Sequence, residues 1–349
     1  MDCGDETVKR RQFLGLAAAS LVPRWLVALE QDRPESSEGK VVTVTGPVPP
    51  EQMGVTLPHE HVLVDFIGAD RIHPGRYDRE EAFQVILPHL KAVRELGCRT
   101  FCECTPNFLG RDPRLLVRLA RATGLNILTN TGLYGAAKDK YVPEYAYRET
   151  AEQLARRWEE EFRRGIAGTG VRPGFIKIGV DAGKLSPIDR KLVVAAALVH
   201  RATGLTIAAH TGNGEAALEE LGVLRSEGVS PAAFIWVHAQ NERDTGILEA
   251  AARQGAWVEF DGLGPRSLDR HLELVGQMRA KGLLGRVLVS HDAGWYHVGE
   301  SRGGRFRPYT TLFTDFLPRL RKAGWNEDEV SRLVVANPRE AFQIRRRLL

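Results

Sequence analysis

The chain has 349 residues, 43% hydrophobic and 26% charged, with a net charge of +4. At roughly 100–200 residues per domain this allows one large domain or two ordinary ones, and the mixing of basic with acidic side chains leaves no stripe to hold phosphate backbones. Nucleic acid is therefore not an expected partner, and cysteines only at 3, 98, 102 and 104, with no apolar run of about 18 residues, exclude a disulfide scaffold and a transmembrane protein.

Lys9-Arg10-Arg11-Gln12-Phe13-Leu14 opens a short apolar stretch that stops at Pro23. It resembles a twin-arginine export signal, which implies that export machinery as a partner and a periplasmic or exported location. The polar segment that follows reads as a linker. Residues 1–40 are therefore set apart as signal and linker, and the folded domain is expected over 41–349. Val41–Gly46 with its Pro-rich continuation reads as a short hairpin or plug.

Beyond it, β-branched runs alternate with stretches of helical periodicity, the pattern of a parallel sheet wrapped by helices. Strands are predicted at 56–66, 99–105, 126–132, 175–180, 206–211, 234–239, 256–262 and 286–294. Helices are predicted near 78–96, 112–123, 145–164, 187–203, 214–227, 242–254 and 267–282, with two more near 309–323 and 326–345. Asp112-Pro113 and Ser186-Pro187 are helix-start signals. No Gly-x-Gly-x-x-Gly follows any strand, which argues against an open dinucleotide-binding sheet. The expected fold is α/β, a (β/α)₈ TIM barrel with a short N-terminal hairpin and a long loop after strand eight.

In such a barrel catalytic groups gather at the C-terminal ends of the strands. Strand one carries His59-Glu60-His61, and alternation turns both imidazoles into the lumen and Glu60 away from it. Strand four carries Lys177, strand five ends in His210, strand six in His238, and strand eight in Ser290-His291-Asp292, with His291 facing away from the lumen. Four of the chain's ten histidines and one aspartate thus converge on one mouth. They suit zinc, or manganese or cobalt, and five ligands exceed what one tetrahedral ion with an open position accommodates, so two divalent ions are expected. An ammonium at Lys177 beside them must be deprotonated or converted to an anion. Cys102 and Cys104 read as packed thiols.

His59-x-His61, Lys177, His210, His238 and Asp292, in that order on strands one, four, five, six and eight, resemble the phosphotriesterase branch of the amidohydrolase superfamily. The likeness extends through Thr105-Pro106, Gly110-Arg111-Asp112, Thr131-Gly132-Leu133-Tyr134 and Phe175–Gly179, nearly the whole chain beyond the linker. It implies an N6-carboxylysine at Lys177 bridging two metals. His59, His61 and Asp292 would hold the buried ion, and His210 and His238 the exposed one. It also implies a bridging hydroxide as nucleophile, with Asp292 taking its proton and Tyr134 near a lactone or ester substrate. Asp261 and Trp295 are expected to contact that substrate, and the loop from Trp295 to Pro308 to act as a lid or a solvent loop.

Two positions depart from the organophosphate-hydrolysing pattern. Gly262 follows Asp261 where a histidine would stand, and Asn241 replaces an aspartate, so that family's proton relay is broken here. Gly262 is expected to leave room for a larger or acyl-bearing substrate. The resulting expectation is a metal-dependent hydrolase of a lactone, carboxylic ester or phosphoester, with lactonase or esterase activity favoured over organophosphate triesterase activity. Its alternatives are an inactive metal-binding periplasmic barrel and a mononuclear amidohydrolase of amidase or deaminase type. A homodimer is left open.

Overall fold

A computed structural model describes residues 1–2 and 37–349. The segment containing Arg10 and Arg11 lies outside the described residues. The folded unit runs from Ser37 to Leu349. It begins slightly before the expected start at Val41, because Gly39 N donates to Ile344 O and Ile344 N to Lys40 O, each at 2.9 Å, tying residues read as linker to the C-terminal end. Among the described residues no helix is long and apolar enough to cross a membrane.

Val41–Thr43 (β1) and Gly46–Val48 (β2) form the expected antiparallel hairpin, with Val41 opposite Val48. The barrel strands follow at Thr56–Val64 (β3), Thr100–Glu103 (β4), Asn126–Leu128 with Asn130–Thr131 (β5 and β6), Phe175–Val180 (β7), Ile207–Thr211 (β8), Phe234–Val237 (β9), Trp257–Phe260 (β10) and Val287–Val289 (β11). All neighbouring pairs are parallel, in one run from β3 to β5 and another from β6 to β11. Helices between successive strands cover the outside, so the barrel strands are buried on both faces. Val41, Met53, Phe175, Ile235, Trp257, Leu288 and Phe342 pack into one apolar cluster with Cys102 and Cys104, joining the barrel strands to the hairpin and the C-terminal helix.

Asp112 accepts from Arg114 N and Leu115 N, and Ser186 forms a capping box with Asp189, so both helix-start signals act as such. The helix predicted near 145–164 is instead two, Glu144–Arg148 and Ala151–Arg164, because Thr150 caps the second through Gln153. Gly132, at φ 125°, lets its strand approach the backbone of Lys177 so closely that no Cβ would fit.

Strand eight departs most from expectation. The predicted run 286–294 is broken: β11 stops at Val289, and a further short strand, Gly294–His297 (β12), pairs with β3. The segment between them closes the barrel. Asp292 N donates to His59 O at 3.1 Å, and His61 N to Ala293 O at 2.9 Å. Glu60, facing away from the lumen as expected, accepts four hydrogen bonds there, from Ser290 Oγ (2.7 Å), His291 N (3.0 Å), His291 Nδ1 (2.6 Å) and Ala293 N (2.9 Å). His291 Nε2 in turn accepts from Leu312 N at 2.9 Å, which fixes its tautomer and ties the closure to the C-terminal helices. The chain leaves the regular pleat between the His291 and Ala293 amides, where Asp292 takes a left-handed φ of 50°.

Replacing Glu60 with Gln removes the charge and puts an amide N–H among backbone N–H groups. We expect a loss of about 2–3 kcal/mol, read as a lower urea midpoint at unchanged slope. An unaltered midpoint would show that closure does not depend on the carboxylate.

Candidate metal centre

The strand ends enclose a cavity of about 170 Å³ lined by His59, His61, Lys177, His210, His238 and Asp292, with Tyr134, Tyr141, Phe66 and Trp295 around them. All six expected ligands therefore meet at one site. The ligand atoms of His59, His61 and Asp292 lie within 4.8 Å of one another. The rings of His210 and His238 lie edge to face, 4.4 Å apart.

Hydrogen bonds fix which nitrogen of three of these rings is free. Thr105 Oγ1 donates to Leu63 O (3.0 Å) and so accepts from His61 Nδ1 (2.7 Å), leaving the Nε2 lone pair toward Asp292 Oδ1, 3.1 Å away. Burial holds His61 neutral, its pKa lowered to about 4. Two lone-pair atoms that close repel unless a cation lies between them. His59 Nδ1 lies 2.9 Å from Asp261 Oδ2 and 3.3 Å from Glu259 Oε2, and His238 Nδ1 lies 2.7 Å from Asp261 Oδ1. Both rings thus turn Nε2 to the cavity. Burial and Lys177 oppose a charge on His59, but Asp261 and Glu259 outweigh them and raise its pKa to about 10.

Lys177 Nζ is buried without a hydrogen-bond partner, on a side chain 2% exposed. Burial first, then His238 and Lys177, push His210 well below its ordinary value. Burial works against charge on Asp292, but His61 and His59 overcome it and keep the carboxylate ionised. Histidine nitrogens turned to the cavity, an ionised aspartate and an orphaned lysine amine fit a divalent metal centre.

Other expected residues fall differently. Tyr134 lines the cavity, its hydroxyl 2.9 Å from His210 Nδ1, and burial keeps it protonated. Trp295 lines it too, edge-on to His61 at 5.3 Å. Asp261 does not contact the substrate space. It is fully buried behind the ligands, its oxygens taken by His59, His238 and Gln240. The space expected beside Gly262 is filled by Gln240, whose Nε2 would lie 2.9 Å from a Cβ there. That amide donates to Asp261 Oδ1 (2.9 Å) and accepts from Asp261 N (3.2 Å). Asn241 sits in the adjoining exposed turn. Cys104 lines the cavity and Cys102 lies deeper, with burial pushing both thiols well up, so both stay neutral.

His238 is not a strand residue. β9 ends at Val237, and a left-handed φ of 64° aims the imidazole inward. The loop from Trp295 to Pro308 is anchored by a reciprocal pair of 2.9 Å bonds between Gly294 and Arg307, by Tyr296 OH on Glu81, and by Phe306 stacked on His89. Glu259, Gln240 and Thr105 escaped the sequence reading as functional residues, although a glutamate inside the apolar strand 257–260 was a visible signal for the first.

The sequence profile of the phosphotriesterase family matches residues 39–342. The chain belongs to the phosphotriesterase family. A phosphotriesterase homology protein of Escherichia coli is 30% identical over 294 residues, 83% of this chain and 98% of that one. An aryldialkylphosphatase of Saccharolobus solfataricus is 25% identical, across 84% of this chain and 96% of its own. The structure of an organophosphorus hydrolase from Deinococcus radiodurans superposes with a TM-score of 0.77 at 30% identity, covering 88% of this chain and 98% of the other. The family barrel is thus complete here, and the chain is a hydrolase of that family.

If Asp261 orients two ligand rings, Asp261→Asn will weaken metal binding about 10–100-fold, measured by competition with a chelating dye. Undiminished affinity would reduce Asp261 to a packing residue.

Proposed function

We propose that this protein is a two-metal hydrolase of carboxylic esters and lactones. The observation that carries the reading is Lys177 Nζ, buried and unpartnered among two histidine pairs and an ionised aspartate. His59, His61 and Asp292 would hold a buried ion and His210 and His238 an outer one. Lys177 would be shared as N6-carboxylysine, its amine bonding CO₂ and releasing a proton. Zinc suits this donor set, with manganese or cobalt compatible. Such ions supply positive charge that polarises a carbonyl and acidifies water.

The chain's own groups do the rest. Asp292 accepts the proton of the attacking water at a carboxylate oxygen. Tyr134 keeps its proton at the hydroxyl and can donate it as a hydrogen bond to an ester oxygen as charge develops there. Phe66, Tyr141 and Trp295 exclude water from the acyl side. Gly262 and Asn241 stand where the organophosphate enzymes place a histidine and an aspartate, and Gln240 fills the space beside Gly262, so their proton relay from Asp292 has no counterpart here. With Gln240 in the space beside Gly262, the cavity of about 170 Å³ favours compact acyl groups over bulky triesters. The relative from Deinococcus radiodurans is described both as an organophosphorus hydrolase and, in a mutant form, as a PTE-like lactonase, which supports ester cleavage as the common chemistry.

Elemental analysis of protein grown with excess zinc and bicarbonate should give two ions per chain, falling in Lys177→Ala together with activity. A ratio of one in the wild type would instead favour a mononuclear amidohydrolase, and metal without turnover of any activated ester a binding protein. Lactones and carboxylic esters should show higher kcat/KM than organophosphate triesters. Tyr134→Phe should cost the former about 2–4 kcal/mol of transition-state stabilisation and the latter less. Preference for triesters, or indifference to the lost hydroxyl, would refute the assignment of ester specificity.

A further inference from the structure

The outer wall of the cavity is an aromatic arch. Phe66 lies 6.2 Å from the Tyr141 ring and 5.5 Å from the Trp295 ring, and all three line the cavity. Each end of the arch carries a cation. Lys140 Nζ lies 5.5 Å from the Tyr141 ring centre, and the Arg307 guanidinium lies 5.1 Å over Trp295. Both side chains are exposed, come from different βα loops, and among the described residues have no carboxylate within ion-pair distance.

Nearby acids are engaged elsewhere. Asp70 pairs with Arg71 at 3.8 Å, Asp181 accepts from the amides of Ala137 and Lys138, and Glu300 faces His297 at 3.9 Å. The backbone of Arg307 is held by its two bonds to Gly294, so its side chain starts from a fixed point two residues from the tyrosine, Tyr309, that packs under β3. A guanidinium resting on an indole face keeps its outer N–H donors free, and an aromatic support lowers the entropy lost when they engage an oxyanion.

We propose that Lys140 and Arg307, one at each end of the arch, each offer an anion subsite at the mouth, selecting esters that carry a carboxylate or sulfonate remote from the scissile carbonyl. The acyl chain would run along the arch, its reacting end at the histidines and its charged end at one of the two cations. A purely structural cation–π role would leave charge selection unaffected. The specificity part of this inference rests on the ester-hydrolase reading; the anion site itself does not.

The test uses the metal-loaded full chain and two probe pairs. For turnover, the nitrophenyl monoester of adipic acid is compared with its methyl-capped diester. For binding, calorimetry compares adipate with monomethyl adipate, each of which keeps one carboxylate for the metal centre. Wild-type protein should favour the charged member of both pairs by about tenfold, mainly through KM and Kd, with the preference shrinking as salt is raised. The ratio should fall toward one in Arg307→Gln and Lys140→Gln, and invert in Arg307→Glu. Hydrolysis of both esters with a ratio near one overturns the subsite and keeps the esterase. Charge-selective binding lost in Arg307→Gln, with neither ester hydrolysed, keeps the subsite and overturns the esterase. A ratio unchanged in all three variants overturns the subsite outright.

Discussion

Glu60 points out of the barrel, away from every group that could touch a substrate, yet the position of Asp292 depends on it. One carboxylate gathers the Ser290 hydroxyl, the His291 amide and ring, and the Ala293 amide. A buried anion that loses such donors is costly, so the last strand cannot drift from the first without exposing that charge to an apolar surrounding. The same bonds bend the chain at Asp292 into a conformation that non-glycine residues rarely adopt, and the bend directs its side chain to His61. Ordinary sheet pairing would have left that side chain to the pleat. Gly294 belongs to the same arrangement: a Cβ there would collide with His61 O and the Tyr309 hydroxyl.

Behind the ligands a second set of polar groups does for the rings what Glu60 does for the backbone. Asp261 spans His59 and His238, so one side chain orients a ligand of each proposed ion. Gln240 holds Asp261 from its own turn, and Gly262 is small because that amide must fit. Glu259 adds a further carboxylate against His59, and the His59–Asp261 contact lies wholly out of solvent. Negative charge behind these imidazoles strengthens their donation to a cation.

Most of this architecture was legible in the residues. Strand seven of the barrel, with Trp257, Glu259 and Asp261 alternating, and strand four, with Phe175 and Lys177, obey the period of two, so their inward sets could be read directly. The reading failed where one residue leaves the regular backbone. His238 and Asp292 both take positive φ, which residue type does not disclose, and strand eight was therefore drawn as one piece. Asp261 was assigned to substrate because a polar residue at a strand end looks the same whether it faces the cavity or the ligands. Gly262 looked like open space because the amide that fills it comes from a different loop.

His59 and His61 stand at the start of the chain's barrel, and Asp292 at its end. The Ser290–Glu60 bond alone spans 230 positions of sequence. Contacts of that separation carry a high loop-closure cost and slow folding. A cation shared by these side chains would bind the closed ring and not the open one, and so would act as a latch on the seam between first and last strands. Stripping the ion should accordingly loosen this seam before any other part of the wall. Amide exchange along 56–64 and 287–297 would then be the most sensitive gauge of whether the centre is filled.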